Sequence, residues 1–320
     1  MTTNQTQTAE FVRGFFKFLE SKQVRSATLH GGEDGFAREL SDVDFVVAHE
    51  NFQKLPALID EYCTKVGWLL CQVLRHETTA AYYVCSATDD PSCTVALDAC
   101  SDYQRNGTVF LSEKMLLENR QPLTWGGYGL SAGNELLYRF AKAAAKNKDE
   151  TKTAEEFARY PEEIRRDCTE WLKTHWDISP QSWNATDLAP ALAQLRAKSN
   201  TRPSLTQSGS LRRIASRIQH PTGLIVIVGR EDFEAIATRI EKVFGHLYFR
   251  RLLKAARWQP SLLRELVAST LIILPEISAL WAKLIPADCI HRLDPTQIID
   301  SQCRDLAKHL HQRCMQRETQ

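Results

Sequence analysis

The sequence predicts a two-part α/β protein: a small mixed sheet with flanking helices, a helical middle segment, then a smaller α/β C-terminal part. Three observations predict it. A helix-spaced apolar segment precedes five short runs of β-formers within the first hundred residues. From about Gly133 the apolar period changes to that of helices. The run LIVIV at 224–228 then reads as a buried central strand of a parallel sheet. The expected boundaries are 1–132, 133–200 and 211–320.

Phe11, Phe15, Phe16 and Leu19 fall at helical spacing, so an amphipathic helix spans 9–22. A short strand at 27–30 runs into Gly31 and Gly32, and DVDFVVA (42–48) is the next strand. Residues 51–67 form a helix ended by Gly67. WLLCQVLRH, AAYYVCSA and CTVALDAC follow as an antiparallel meander rich in Val, Tyr, Leu and Cys. Helical stretches cover 134–160 and 161–176, broken near Pro161, and a third covers 189–200. Residues 199–210 have linker composition, and LRRIASRIQH after them carries Arg212, Arg213 and Arg217, either a cluster for a phosphate-rich or anionic polymer or the solvated side of a helix that packs through Leu211, Ile214 and Ile218.

Lys plus Arg total 40 against 39 acidic residues, so no global basic field points to nucleic acid. The nine cysteines are odd in number and show no C-x-x-C spacing, and MTTNQTQTAEF is polar; reduced thiols in a cytoplasmic protein are expected. The longest apolar stretch, LVASTLIIL, is too short for a membrane span.

Asp42 and Asp44 stand two apart, so on a strand they project from one face while Val43 and Phe45 enter the core. Two carboxylates held this close repel unless a cation lies between them, and hard oxygen ligands suit Mg²⁺. Asp98, at the end of the apolar strand TVALDAC, is the expected third ligand. Gly31 and Gly32 permit close backbone approach, with N–H groups available to phosphate oxygens. Arg75 and His76 end one strand of the meander, where they are candidate phosphate or acceptor contacts or else a solvated strand end. His30 is expected to pack or hydrogen-bond.

LHGG, a ten-residue step to DVDF, and a later strand aspartate together resemble the nucleotidyltransferase superfamily related to DNA polymerase β, over residues 9–150. The resemblance implies that Asp42, Asp44 and Asp98 bind two Mg²⁺ ions and that Gly31 and Gly32 hold phosphates of a nucleoside triphosphate. It implies transfer of a nucleoside monophosphate, such as AMP from ATP, to a hydroxyl acceptor with release of pyrophosphate. A lysine from the following helical part reaches the triphosphate in several such enzymes, and Lys142 matches it here; otherwise Lys142 and Lys146 form a solvated cationic face. Gly32 stands where many members carry Ser.

In the second half, HPTGLIVIVGREDFEAI has the order strand, glycine turn, helix, and PADCIHRLDPTQIID looks like the late strand and helix of thymidylate-kinase-like P-loop proteins. A P-loop needs Gly, Lys and a hydroxyl where this chain has Glu234, Ala235 and Ile236. This half therefore resembles a degenerate P-loop domain. Some bacterial surface-polysaccharide proteins join two such halves. Two alternatives stand beside the enzyme: an inactive binding or scaffold protein in polysaccharide assembly or defence, and an antitoxin-like enzyme that adds AMP to a protein partner.

Overall fold

The computed structural model describes residues 3–31, 35–36, 42–105, 107–200, 221–229, 231, 233–244, 251–268 and 270–318. Gly32, most of the 199–210 stretch, and Arg212, Arg213 and Arg217 lie outside them. The chain is a mixed α/β protein whose described residues divide into two compact units, 1–55, 75–81 and 98–206 in one, 56–74, 82–97 and 207–320 in the other. The division does not follow chain order, because strands of the N-terminal half contribute to both.

Helix α1 (Thr3–Ser21) buries Phe11, Phe15, Phe16 and Leu19, the stripe its spacing predicts. Strand β1 (Ser26–Thr28) is followed by β2 (Val43–Val47), every residue of which is buried. Phe45 of β2 meets Phe15 and Phe16 edge-on, at centroid distances of 6.0 and 5.4 Å. The helix expected over 51–67 is two helices, α2 (His49–Phe52) and α3 (Leu55–Val66), the latter ended at Gly67 with φ +74°.

Strands β3 (Trp68–Glu77), β4 (Ala80–Ala87) and β5 (Thr94–Cys100) follow the expected meander. A hairpin of β6 (Tyr103–Arg105) and β7 (Thr108–Leu111) leads to α4 (Glu113–Leu117), then to the short strands β8 (Gln121–Pro122) and β9 (Tyr128–Gly129). The larger sheet has the order β3-β4-β5-β2-β1-β9-β8. It is mixed, since β1 is antiparallel to β2 and parallel to β9.

The helical stretch expected over 134–160 is two helices, α5 (Ala132–Lys146) and α6 (Glu150–Phe157). Asn147 breaks them with a left-handed φ of 51°, and Asp149 caps the second by accepting from the Lys152 N–H. Helices α7 (Glu162–Trp176) and α8 (Ala185–Asn200) complete the first unit. Phe140, Phe157 and Trp183 lock α5, α6 and the approach to α8 together around ring contacts of 5.5–6.3 Å.

In the second unit β10 (Leu224–Ile227) leads to α9 (Phe233–Phe244), β11 (Arg251–Lys254), α10 (Leu262–Val267), β12 (Thr270–Leu274), α11 (Ala279–Leu284), β13 (Ile290–Arg292) and α12 (Ile299–Glu318). The four strands are all parallel in the order β11-β12-β10-β13, with the apolar run LIVI in the interior. Parallel strands are covered on both faces, which is why LIVI reads as continuous rather than alternating apolar.

His291 on β13 lies 5.0 Å from the ring of His309 on α12. Burial, then the charge of His309, pulls the His291 pKa from 6.5 down to about 4. The unfolded chain therefore binds a proton near pH 6.5 that the folded chain refuses until about pH 4, so stability falls as the pH drops through that window. Urea titrations are expected to show lower stability at about pH 5 than at neutrality, with a smaller difference in His291→Asn. An unchanged difference in that variant would contradict this.

No helix among the described residues is long and apolar enough to cross a membrane, and none of the nine cysteines forms a disulfide.

Candidate functional site

Asp42, Asp44 and Asp98 converge, each offering a carboxylate oxygen within 4.8 Å of the others. The sheet explains why residues so far apart in sequence meet. Asp44 is on β2, Asp42 immediately precedes that strand, and β5, which carries Asp98, is the neighbour of β2. Asp44 is buried at 8 % exposure, Asp98 is partly buried and Asp42 is exposed, so the cluster opens to solvent on one side. Three carboxylates at this spacing repel by about 3–4 kcal/mol per pair at an effective dielectric near 20.

Part of that repulsion is offset by Lys142 of the same unit, with His30 beside it. Lys142 Nζ donates to Asp44 Oδ2, and His30 Nε2 lies 2.7 Å from the same oxygen. His30 Nε2 and Lys142 Nζ are themselves 2.8 Å apart. Burial disfavours the Asp44 anion, but the His30 hydrogen bond and the Lys142 charge outweigh it and hold the carboxyl well below its usual range. Lys142 stands one turn after Tyr138 on α5, and its ammonium lies over that ring, 5.4 Å from the centroid. Tyr138 also stacks on His30 at 5.9 Å and meets Tyr103 edge-on at 4.9 Å.

Asp98 has its own partner. His76 Nε2 on β3 lies 2.9 Å from Asp98 Oδ1, reaching past β4, whose Ala80 lines the same pocket. Burial raises the Asp98 pKa, and the charges of Asp44 and Asp42 add to this against the pull of His76. Burial works against His76 as a cation, but its bond to Asp98 and the surrounding carboxylates raise its pKa too. Both groups hold protons more firmly than usual, the mark of a site with surplus negative charge.

The residues singled out from the sequence divide accordingly. Asp42, Asp44, Asp98 and Lys142 come together. Gly31 follows His30 with φ +72° and open space where a side chain would stand, a conformation that favours glycine. Gly32 lies outside the described residues. Arg75 is beside His76 on β3, and alternation along the strand directs it to the opposite face; it is not among the residues lining the pocket.

That pocket is lined by Asp44, Asp98, His76, Tyr103, Gln104 and Tyr138, among others. Asp102 also lines it but is engaged structurally, accepting from the Glu113 N–H at 2.7 Å. Tyr103, just after Asp98, was readable with Asp102 only as a candidate base or acceptor contact without a defined role, and Tyr138 and Gln104 were not legible as site residues. The signal for the first was the Asn-Gly dipeptide at 106–107, which between β-formers predicts a hairpin returning Tyr103 over the site.

The donor set fits a divalent cation of the Mg²⁺ kind: hard carboxylate oxygens on converging strands, one side open for water or substrate oxygens. No protein-family model, no curated protein and no solved structure matches the chain.

Proposed function

We propose that the protein is a divalent-metal-dependent nucleotidyltransferase with a polymerase β-like catalytic unit, moving a nucleoside monophosphate from a triphosphate to a hydroxyl acceptor. The observation that carries this reading is the convergence of Asp42, Asp44 and Asp98 within 4.8 Å. The glycine turn at Gly31, one residue after His30, adds to it.

Mg²⁺ held there would polarise the phosphate and stabilise the departing pyrophosphate. Asp42 and Asp44 would orient the nucleotide through that ion. Asp98 would help activate the attacking hydroxyl. The bond from the acceptor oxygen to the α-phosphorus forms as the bond to pyrophosphate breaks, and the hydroxyl proton leaves to the carboxylate side of the site. Lys142 supplies positive charge for phosphate oxygens, and the aromatic rings of Tyr103 and Tyr138 offer apolar surface beside it.

The second unit supports a different reading. Its parallel order places β10 inside, with successive strands first to one side and then to the other, an arrangement that puts ligands outside the carboxyl ends of the strands. A cavity of about 420 Å³ lies there, lined by Phe233, Glu234, Lys254 and Glu276 among others. Glu234 brings negative charge where a P-loop would bring amides and a lysine, so this unit reads as a degenerate kinase-like domain that does not hold a triphosphate in that manner.

The test is release of pyrophosphate from the four ribonucleoside triphosphates with Mg²⁺ and candidate hydroxyl acceptors. The expected result is metal-dependent release that is lost in Asp42→Ala. Equal release by that variant would contradict the reading.

A further inference from the structure

In the second unit α12 carries Arg313 and Arg317 one turn apart. Arg313 is only 4 % exposed. Its Nε donates to Asp288 Oδ2 at 3.3 Å, and its Nη2 donates to the carbonyls of Pro221 and Gly223 at 2.9 and 3.0 Å and meets Cys289 Sγ at 3.3 Å. Its Nη1 has no acceptor among the described residues. Arg317 donates to the Pro221 carbonyl. Burial, then the charge of Arg313, lowers its pKa, so the two guanidiniums burden one another.

Facing them is Gln72 of β3, 6 % exposed, whose amide Nε2 is sealed from solvent without a hydrogen-bond partner. Thr222 joins these three in lining one pocket. Two guanidiniums and one carboxylate, Glu318, line it, which leaves a net single positive charge. Asp288 Oδ2 lies 3.3 Å from Arg313 Nε and 4.0 Å from Arg317 Nη2, pairing loosely with both from outside the lining.

A buried amide left without a partner is costly, and the groups converging here are overwhelmingly donors. What the pocket lacks is a compact, acceptor-rich anion. The planar fork of arginine matches the oxygens of phosphate with paired hydrogen bonds. We propose that the second unit binds a small phosphate-type oxyanion between Arg313, Arg317, Thr222 and Gln72. Such a ligand would tie β3 to the C-terminal helix and to the segment entering β10.

The probe is inorganic phosphate, with glycerol phosphate as the phosphomonoester, titrated by calorimetry into the full chain in a chloride buffer. Saturable binding is expected, weakened at least about tenfold in Arg317→Gln, the effect of losing a charge-assisted hydrogen bond. Gln72→Leu should also weaken binding while its unfolding midpoint without phosphate is maintained or raised, because the unpaired amide has gone. Binding of either probe supports the proposal, and the tighter of the two identifies the source. Absence of saturable binding to the wild type, the pocket then holding water only, would overturn it, as would equal binding by wild type and both variants. Neither variant touches Asp42, Asp44 or Asp98, so failure here leaves the transferase reading intact.

Discussion

Asp44→Asn is expected to lower metal-dependent pyrophosphate release by about 10³-fold, since a carboxylate that holds a catalytic cation is worth several kcal/mol in the transition state. Asp44 is the most buried of the three carboxylates and the one on which Lys142 and His30 converge. The amide keeps the shape and a carbonyl oxygen for Lys142, so circular dichroism should show the fold retained. Asp98→Asn should have a comparable effect, because Asp98 comes from a neighbouring strand and no other carboxylate can take its place in the cluster found among the described residues. A rate within about tenfold of wild type in Asp44→Asn, with fold intact, would contradict these roles.

Lys142→Met should produce the second large effect, a loss of stability that accompanies the weaker hold on phosphate oxygens. The side chains of Lys142 and Asp44 are 12 % and 9 % exposed. Removing one partner of so enclosed a pair leaves the other charge uncompensated, which costs about 3 kcal/mol. His30 remains beside Asp44 and limits the loss. Because the missing element is a cation, Mg²⁺ should restore more stability to Lys142→Met than it adds to wild type, by mass action on the folded state. Urea unfolding with and without Mg²⁺ measures both. Equal Mg²⁺ stabilisation in the two proteins would show that Lys142 and the metal do not share Asp44.

The parts of the site legible in the sequence are those that depend on one strand's own geometry. Asp42 and Asp44 share a face because strand side chains alternate, and Asp98 stood out as an acid on an apolar strand. The grouping of His30, Tyr138 and Lys142 was not legible. It depends on how α5 packs against the turn after β1, more than a hundred residues earlier in the chain, and no local pattern encodes that docking. His76 was readable as a strand-end candidate for a phosphate or acceptor, not as the partner of Asp98; its reach to that carboxylate depends on β4 lying between and presenting Ala80 there.

Fold-level reading failed at small interruptions. The helix expected over 134–160 has apolar helical spacing on both sides of Asn147, Lys148 and Asp149, but Asn147 adopts the left-handed conformation and Asp149 starts a new helix, so cap chemistry prevailed over periodicity. The LIVI strand read correctly because burial on both faces leaves a continuous apolar run that does not depend on neighbours.

Crystals grown with Mn²⁺ and a non-hydrolysable triphosphate would test the central claim most directly. An anomalous peak bounded by carboxylate oxygens of Asp42, Asp44 and Asp98, with phosphate oxygens on its open side, is the predicted result. Saturating metal and nucleotide with no peak among these three side chains would contradict it.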